Sequence, residues 1–203
     1  MTILSALDSD RQKSKVNELA KGLSAWPVAQ KVLRRIASTI HLCPDLHFDL
    51  YAGLEHAVAL AHELGISTID EAPSEAFSWD GLAVRTKTET AVLLHEIAHW
   101  QVATPQRRVL PDFGLGAGPE TGHIREADAA ICVDYATKEE EEDLASLLGI
   151  LWEVEQGGPA IIAFCVQNWL ELADRPGTAS HFVTVLDVLA ERGLISEQGH
   201  PIT

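Results

Sequence analysis

From Thr88 to Val102 the chain reads TETAVLLHEIAHWQV, a stretch with neither glycine nor proline, and inside it stands His95-Glu96-Ile97-Ala98-His99. An uninterrupted, largely apolar run of this kind predicts a helix. Residues four apart on a helix project from one face about a turn from each other. Both imidazoles can therefore reach one metal ion, with Glu96 beside them to handle a proton. Leu93, Ile97 and Trp100 fall on a different face and are expected to bury the helix in a core. The fold must pack this helix on one side and leave His95 and His99 free to converge on the other.

A mononuclear catalytic site uses three protein ligands and leaves a position for water or substrate, so two histidines call for a third residue. Glu126 is the expected one. It lies in His123-Ile124-Arg125-Glu126-Ala127-Asp128-Ala129-Ala130, where small alanines would let its helix approach the histidine helix closely. His123, Glu120 and Asp128 are physically possible alternatives, although Asp128 projects about 200° around the helix from Glu126.

The surroundings are mostly helical in pattern. Val28, Val32, Leu33, Ile36 and Ile40 are at helical spacing after Pro27, and a second stripe runs from about Leu46 to Leu64, where Gly65 supplies a stop. Its His56 and His62 are six apart and share no face. Phe77 to Arg85 reads as two short strands about the Asp80-Gly81 turn, giving a small sheet just before the histidine helix. Thr104-Pro105 resembles the start of a further short helix. Gly114 to Gly122 is a glycine-rich loop without the strand and spacing of a phosphate cradle. Helices are expected at about 120–135, 138–155, 159–172 and 179–192, followed by a small terminal hairpin. The acids of Lys138-Glu139-Glu140-Glu141-Glu142-Asp143 complement the dipole of a helix start, and no chemistry is assigned to them.

Charge narrows the partners. Fifteen basic against 30 acidic residues give a net charge of -15, which argues against a nucleic-acid backbone. Residues 1–50 hold 7 basic and 5 acidic residues and the rest 8 and 25, so the N-terminal part could dock on the acidic remainder. Cys43, Cys132 and Cys165 are odd in number and lack a C-x-x-C pair, so they are expected as buried thiols in place of a disulfide framework. No basic, then apolar leader and no membrane-length apolar run is present, and a cytoplasmic location is the expectation.

Two resemblances rest on these residues. The order H-E-x-x-H, a gap of about thirty residues and a helical glutamate followed by small residues resembles the gluzincin arrangement, including the ImmA/IrrE-type metallopeptidases, in which Glu126 to Ala129 would stand for the later E-x-x-A. That resemblance implies zinc, with Glu96 as general base. His95-Glu96-x-x-His99-Trp100, then Arg107-Arg108, then Asp112-Phe113-Gly114 is similar to the elongation factor P hydroxylase family, whose pattern has these groups in the same order and at the same offsets. This implies a non-haem Fe(II) site with His95, His99 and Glu126 as ligands and Arg107 and Arg108 shaping its surroundings. Asp112 would cap or accept from the arginines, Phe113 would pack and Gly114 would permit a sharp turn. The segment after Gly114 departs from the family's aromatic pattern, which leaves the substrate open.

The expectation is one α+β domain, predominantly helical with a small β-sheet beside the metal helix: a helical part at 1–66, a metal-site core at 67–136 and a helical part at 137–203. Its function is expected to be that of a mononuclear metalloenzyme, hydroxylase-like with Fe(II), acting on a protein or peptide and binding neither nucleic acid nor membrane. The alternatives are a zinc peptidase with Glu96 as base, and a non-catalytic metal-binding adaptor in which His123 would close the fourth position.

Overall fold

The computed structural model describes residues 9–42, 49–170 and 177–203. The fold is α+β and predominantly helical, with a small two-stranded parallel sheet among the described residues. The chain forms two compact units, one from the described residues of Met1–Asp49 and Ile150–Ile202, the other Leu50–Gly149.

In the first unit, helices α1 (Ser9–Gly22) and α2 (Pro27–Ser38) are followed by a 3-10 turn at Thr39–Leu42. Pro27 opens α2 at the position where its missing N–H costs nothing, and Val32, Leu33 and Ile36 form the buried stripe anticipated from their spacing. Helices α7 (Ala160–Val166) and α8 (Thr178–Glu191) pack against α2, enclosing Leu19, Phe164, Phe182 and Leu189. The Thr39 hydroxyl accepts the Ile161 N–H at 2.9 Å, satisfying one free donor at the start of α7. The terminal hairpin is present as an antiparallel bridge between Ile195 and Pro201. The expected 159–172 helix is shorter, because Asn168 takes a left-handed φ of 68° just after it; its last two positions lie outside the described residues.

The second unit carries the H-E-x-x-H segment. Helix α3 (Leu54–Glu63) is shorter than the expected 46–64 stretch, of which 46–48 lie outside the described residues, and it stops before Gly65 as anticipated. Strand β1 (Ser67–Ile69) pairs in parallel with β2 (Ala83–Arg85), Thr68 opposite Val84. The Asp-Gly turn is real: the Asp80 carboxylate accepts the N–H groups of Leu82 and Ala83, both at 2.9 Å. Its antiparallel pairing, however, is a single bridge between Trp79 and Val84, and the longer ladder goes to β1.

Helix α4 (Thr90–Val102) follows and holds His95 and His99. Leu93, Leu94 and Ile97 are at most 1% exposed, and burying each contributes roughly 2 kcal/mol relative to solvent. After α4, residues 103–110 form turns rather than the short helix expected at Thr104-Pro105, with the Arg107 and Arg108 N–H groups both donating to the Thr104 carbonyl. Helix α5 covers only Ile124–Ala129, and helix α6 (Tyr135–Glu155) begins one turn before the expected Lys138. The unit that contains the histidines therefore extends beyond the 67–136 core expected from sequence, taking in α3 and most of α6. None of the described helices is long and apolar enough to cross a membrane.

Candidate metal centre

The α4 helix brings the two imidazoles together as its spacing requires: His95 Nε2 lies 3.0 Å from His99 Nε2, with the ring planes at 89°. The third member of the cluster is Glu142, not Glu126. Its Oε2 is 3.6 Å from His95 Nε2 and 3.4 Å from His99 Nε2. Among the described residues, these three form the one set of His, Cys, Asp or Glu donors close enough to share an ion. With metal–ligand bonds of about 2.1 Å, the edges of a tetrahedral coordination shell are about 3.4 Å long. The observed separations fit such an ion and are too long for strong histidine–carboxylate hydrogen bonds.

Glu126 is displaced by the short α5 helix. Ala127 is its buried residue, and α5 packs on the turn at Pro111–Gly114, leaving Glu126 exposed. The small residues expected to bring this helix onto α4 bring it onto that turn instead. His123 is exposed and places its ring 5.1 Å from Phe77. The Asp128 carboxylate accepts the Ala117 N–H at 3.0 Å, and Glu120 is an exposed loop residue whose charge acts on Glu96.

Glu142 comes from the acidic run Glu139–Asp143, to which the sequence pattern assigns a helix start and no chemistry. Because α6 begins at Tyr135, Glu141 and Glu142 fall in its second and third turns, in line with buried Leu144, Ala145 and Leu148. That register was the available signal: a three-to-four-residue step back from the apolar stripe puts Glu141 inside, Glu142 half-buried at its margin, and Glu139 and Glu140 outside. Gly149, seven residues on, allows the close approach. A Cβ there would meet the His95 backbone at 3.1 Å.

The charges fall in opposite directions. Burial works to raise the Glu142 carboxyl, but the two imidazoles reverse this and hold it below the ordinary carboxylate range. Burial would likewise lower His99, yet Glu142, Glu96 and Glu141 together raise it, whereas burial and the neighbouring His99 lower His95. Glu96, half-buried, is pushed up to about 8, first by burial and then by the charges of Asp112, Glu142 and Glu120, against the pull of His99. The Nδ1 atoms of His95 and His99 are buried without a hydrogen-bond partner.

The turn after α4 walls the centre. Asp112, Phe113 and Gly114 take left-handed φ values of 42°, 57° and 70° in succession, at a cost of about 1–2 kcal/mol for each non-glycine residue. Its hydrogen bonds offset this strain: the buried Asp112 carboxylate accepts from the Thr121 hydroxyl at 2.7 Å and from the Trp79 and Gly118 N–H groups at 3.3 and 3.4 Å. Asp112 thus accepts from the loop and not from the arginines. The turn lays Phe113 between Trp79 and His99, with ring centroids 5.5 and 5.7 Å away. Gly114 is required where it stands, since a Cβ would come within 2.6 Å of Cys132 Sγ. Cys132 itself is exposed, contrary to expectation, while Cys165 is buried and Cys43 lies outside the described residues.

Arg107 pairs with Glu141 in the interior, and its Nη1 donates to the Phe113 carbonyl at 3.4 Å. Arg108 donates to the Ala103 and Gln101 carbonyls and lies 3.7 Å over the Trp100 ring, holding the end of α4. Trp100 is thereby half-buried under a cation instead of packed in the core.

Comparison of the chain with known protein-family models, with curated proteins and with solved structures finds no match, so a functional reading rests on this geometry.

Proposed function

We propose that the protein is a mononuclear metalloenzyme that holds its ion with His95, His99 and Glu142, and that it is a hydroxylase-like oxidoreductase using Fe(II). The observation that carries this reading is the convergence of two imidazole nitrogens and one carboxylate oxygen at mutual distances of 3.0–3.6 Å. Two histidines and one carboxylate with positions left open is the donor set of non-haem Fe(II) oxygenases. An ion bound there would supply Lewis acidity and free coordination positions. His123, which would close a structural site, turns its ring to Phe77, and this favours an enzyme over an adaptor.

The chain's own residues supply the rest. Phe113 and Trp79 cover one side of His99 and restrict water there. Glu96, whose carboxyl is pushed up to about 8 in the metal-free protein, stands beside the centre as a group able to hold or release a proton. The acidic balance favours a protein or peptide substrate over nucleic acid, and a cytoplasmic site of action is part of the same proposal. A zinc peptidase is the second reading. It draws on Glu96, which stands among the charges of the centre and would take the proton of an attacking water once a cation had lowered its own proton affinity.

The test is metal content by plasma mass spectrometry on protein purified without chelators, for the wild type and His95→Ala, followed by oxygen-consumption and peptide-cleavage assays of Glu96→Gln. About one equivalent of iron, lost in His95→Ala, with part of the oxygen consumption retained in Glu96→Gln, is expected. Zinc, with cleavage abolished in Glu96→Gln, would establish the peptidase instead, and absence of any metal would sink both.

A further inference from the structure

We propose that Arg107 is the positioning residue of the centre, holding in place both the wall that carries Glu142 and the wall that braces His99; this rests on the metal-site reading above. Arg107 is buried, 9% exposed as a residue, and its guanidinium lies between two elements. Its Nη2 contacts both carboxylate oxygens of Glu141, and its Nη1 donates to the Phe113 carbonyl.

Each contact controls a neighbour of the ion. Glu141 directly precedes Glu142 on α6, so fixing Glu141 fixes the rotation of the helix at the turn that offers Glu142. One residue of slippage would turn that carboxylate by about 100°, away from the histidines. Phe113 stacks on His99, and its carbonyl belongs to the left-handed turn that keeps the ring there. A guanidinium suits this task because its donors leave in fixed, divergent directions from one planar group; an ammonium at the same place would satisfy one contact at the expense of the other.

Stability alone gives a poor account of the pair. Arg107 and Glu141 have side chains 11% and 8% exposed, and an apolar pair of similar volume commonly serves a buried position as well as a salt bridge does. What such a pair cannot do is fix the direction of Glu141 relative to Phe113. Arg108, one residue on, shows the contrast, since its guanidinium meets Gln101, Trp100 and Ala103 at the end of α4.

The experiment is titration with Co(II), followed by its visible absorption and by competition with Zn(II), on the wild type, on Arg107→Lys and on the double variant Arg107→Met/Glu141→Leu, with circular dichroism to check folding. The expected result is a folded double variant whose Kd for Co(II) is weakened about 10–100-fold, the range found when outer partners of metal ligands are removed. Its visible band should also weaken as Glu142 gives way to water, and Arg107→Lys should fall between wild type and double variant. A folded double variant with the wild-type Kd and spectrum would overturn the proposal; should it not fold, Arg107→Lys with wild-type values in both readouts does the same. A wild type that binds neither Co(II) nor Zn(II) removes the metal reading and this inference together, whereas wild-type binding that is insensitive to both variants removes only the inference.

Discussion

Glu126 and Glu142 both stand on helices that follow the histidine pair, and burial of their neighbours decides between them. On α5 the residue facing inward is Ala127, so Glu126 is directed outward; on α6 the inward residues are Leu144, Ala145 and Leu148, and a step of three back from Ala145 reaches Glu142. Two titrations separate the roles. Glu142→Ala is expected to weaken Zn(II) binding by more than the roughly 100-fold that marks loss of an outer partner, because a donor to the ion is lost outright. Glu126→Ala should leave affinity within about twofold, since an exposed carboxylate acts on the ion only through screened water. Chelator competition measures both, and the reverse order of effects would return the third position to α5.

Among the elements, the crossing of α6 over α4 is held close by a single glycine. Gly149 sits where a Cβ would lie 3.1 Å from His95 Cα and 3.2 Å from its N. Gly149→Val would force these helices apart at the level of the histidines, and overpacking of this kind costs typically 1–3 kcal/mol. The expected outcome is a lower urea midpoint together with weaker Zn(II) binding; a loss of stability without any loss of affinity would show that the crossing does not set the distance to Glu142. This crossing also marks the limit of what sequence revealed. Helix α4 and its pair of imidazoles were legible because the run has no breaker and the spacing has one geometric meaning. The extent of α6 was nearly legible, but its inward face was not, since acids near a helix start have a sufficient explanation in the dipole. Strand β1 is only three residues long and too short to show alternation. The left-handed run at Asp112 and Phe113 was hidden for a different reason: neither residue needs that conformation, and the surrounding hydrogen bonds of Trp79, Arg107, Gly118 and Thr121 hold it.

At the scale of the whole molecule the governing quantity is negative charge. Residues 50–149 hold 6 basic and 18 acidic residues, net -12, so the unit with the metal centre carries most of the total of -15. Such a surface draws cations and basic partners and repels itself as its carboxylates ionise. The other unit adds a carboxyl that opposes ionisation from within. Glu153 is 5% exposed, its Oε2 has no hydrogen-bond partner, and burial pushes it up to about 7 from an ordinary 4.5. The native state therefore holds this proton more tightly than the unfolded chain. Its stabilising contribution is complete below about pH 4.5 and is lost as pH rises to about 7, a difference of about 3 kcal/mol. Both effects have the same sign across that window, so stability should decline from pH 5 to pH 8. Replacement by Glu153→Gln keeps the shape and removes the titration, and urea unfolding at the two pH values should then show the variant gaining on the wild type at pH 8, with the residual slope shared by the acidic surface and Glu96, whose carboxyl is also pushed up, to about 8. Equal slopes for variant and wild type would mean that Glu153 ionises in the folded protein without penalty, and that self-repulsion and Glu96 set the pH dependence.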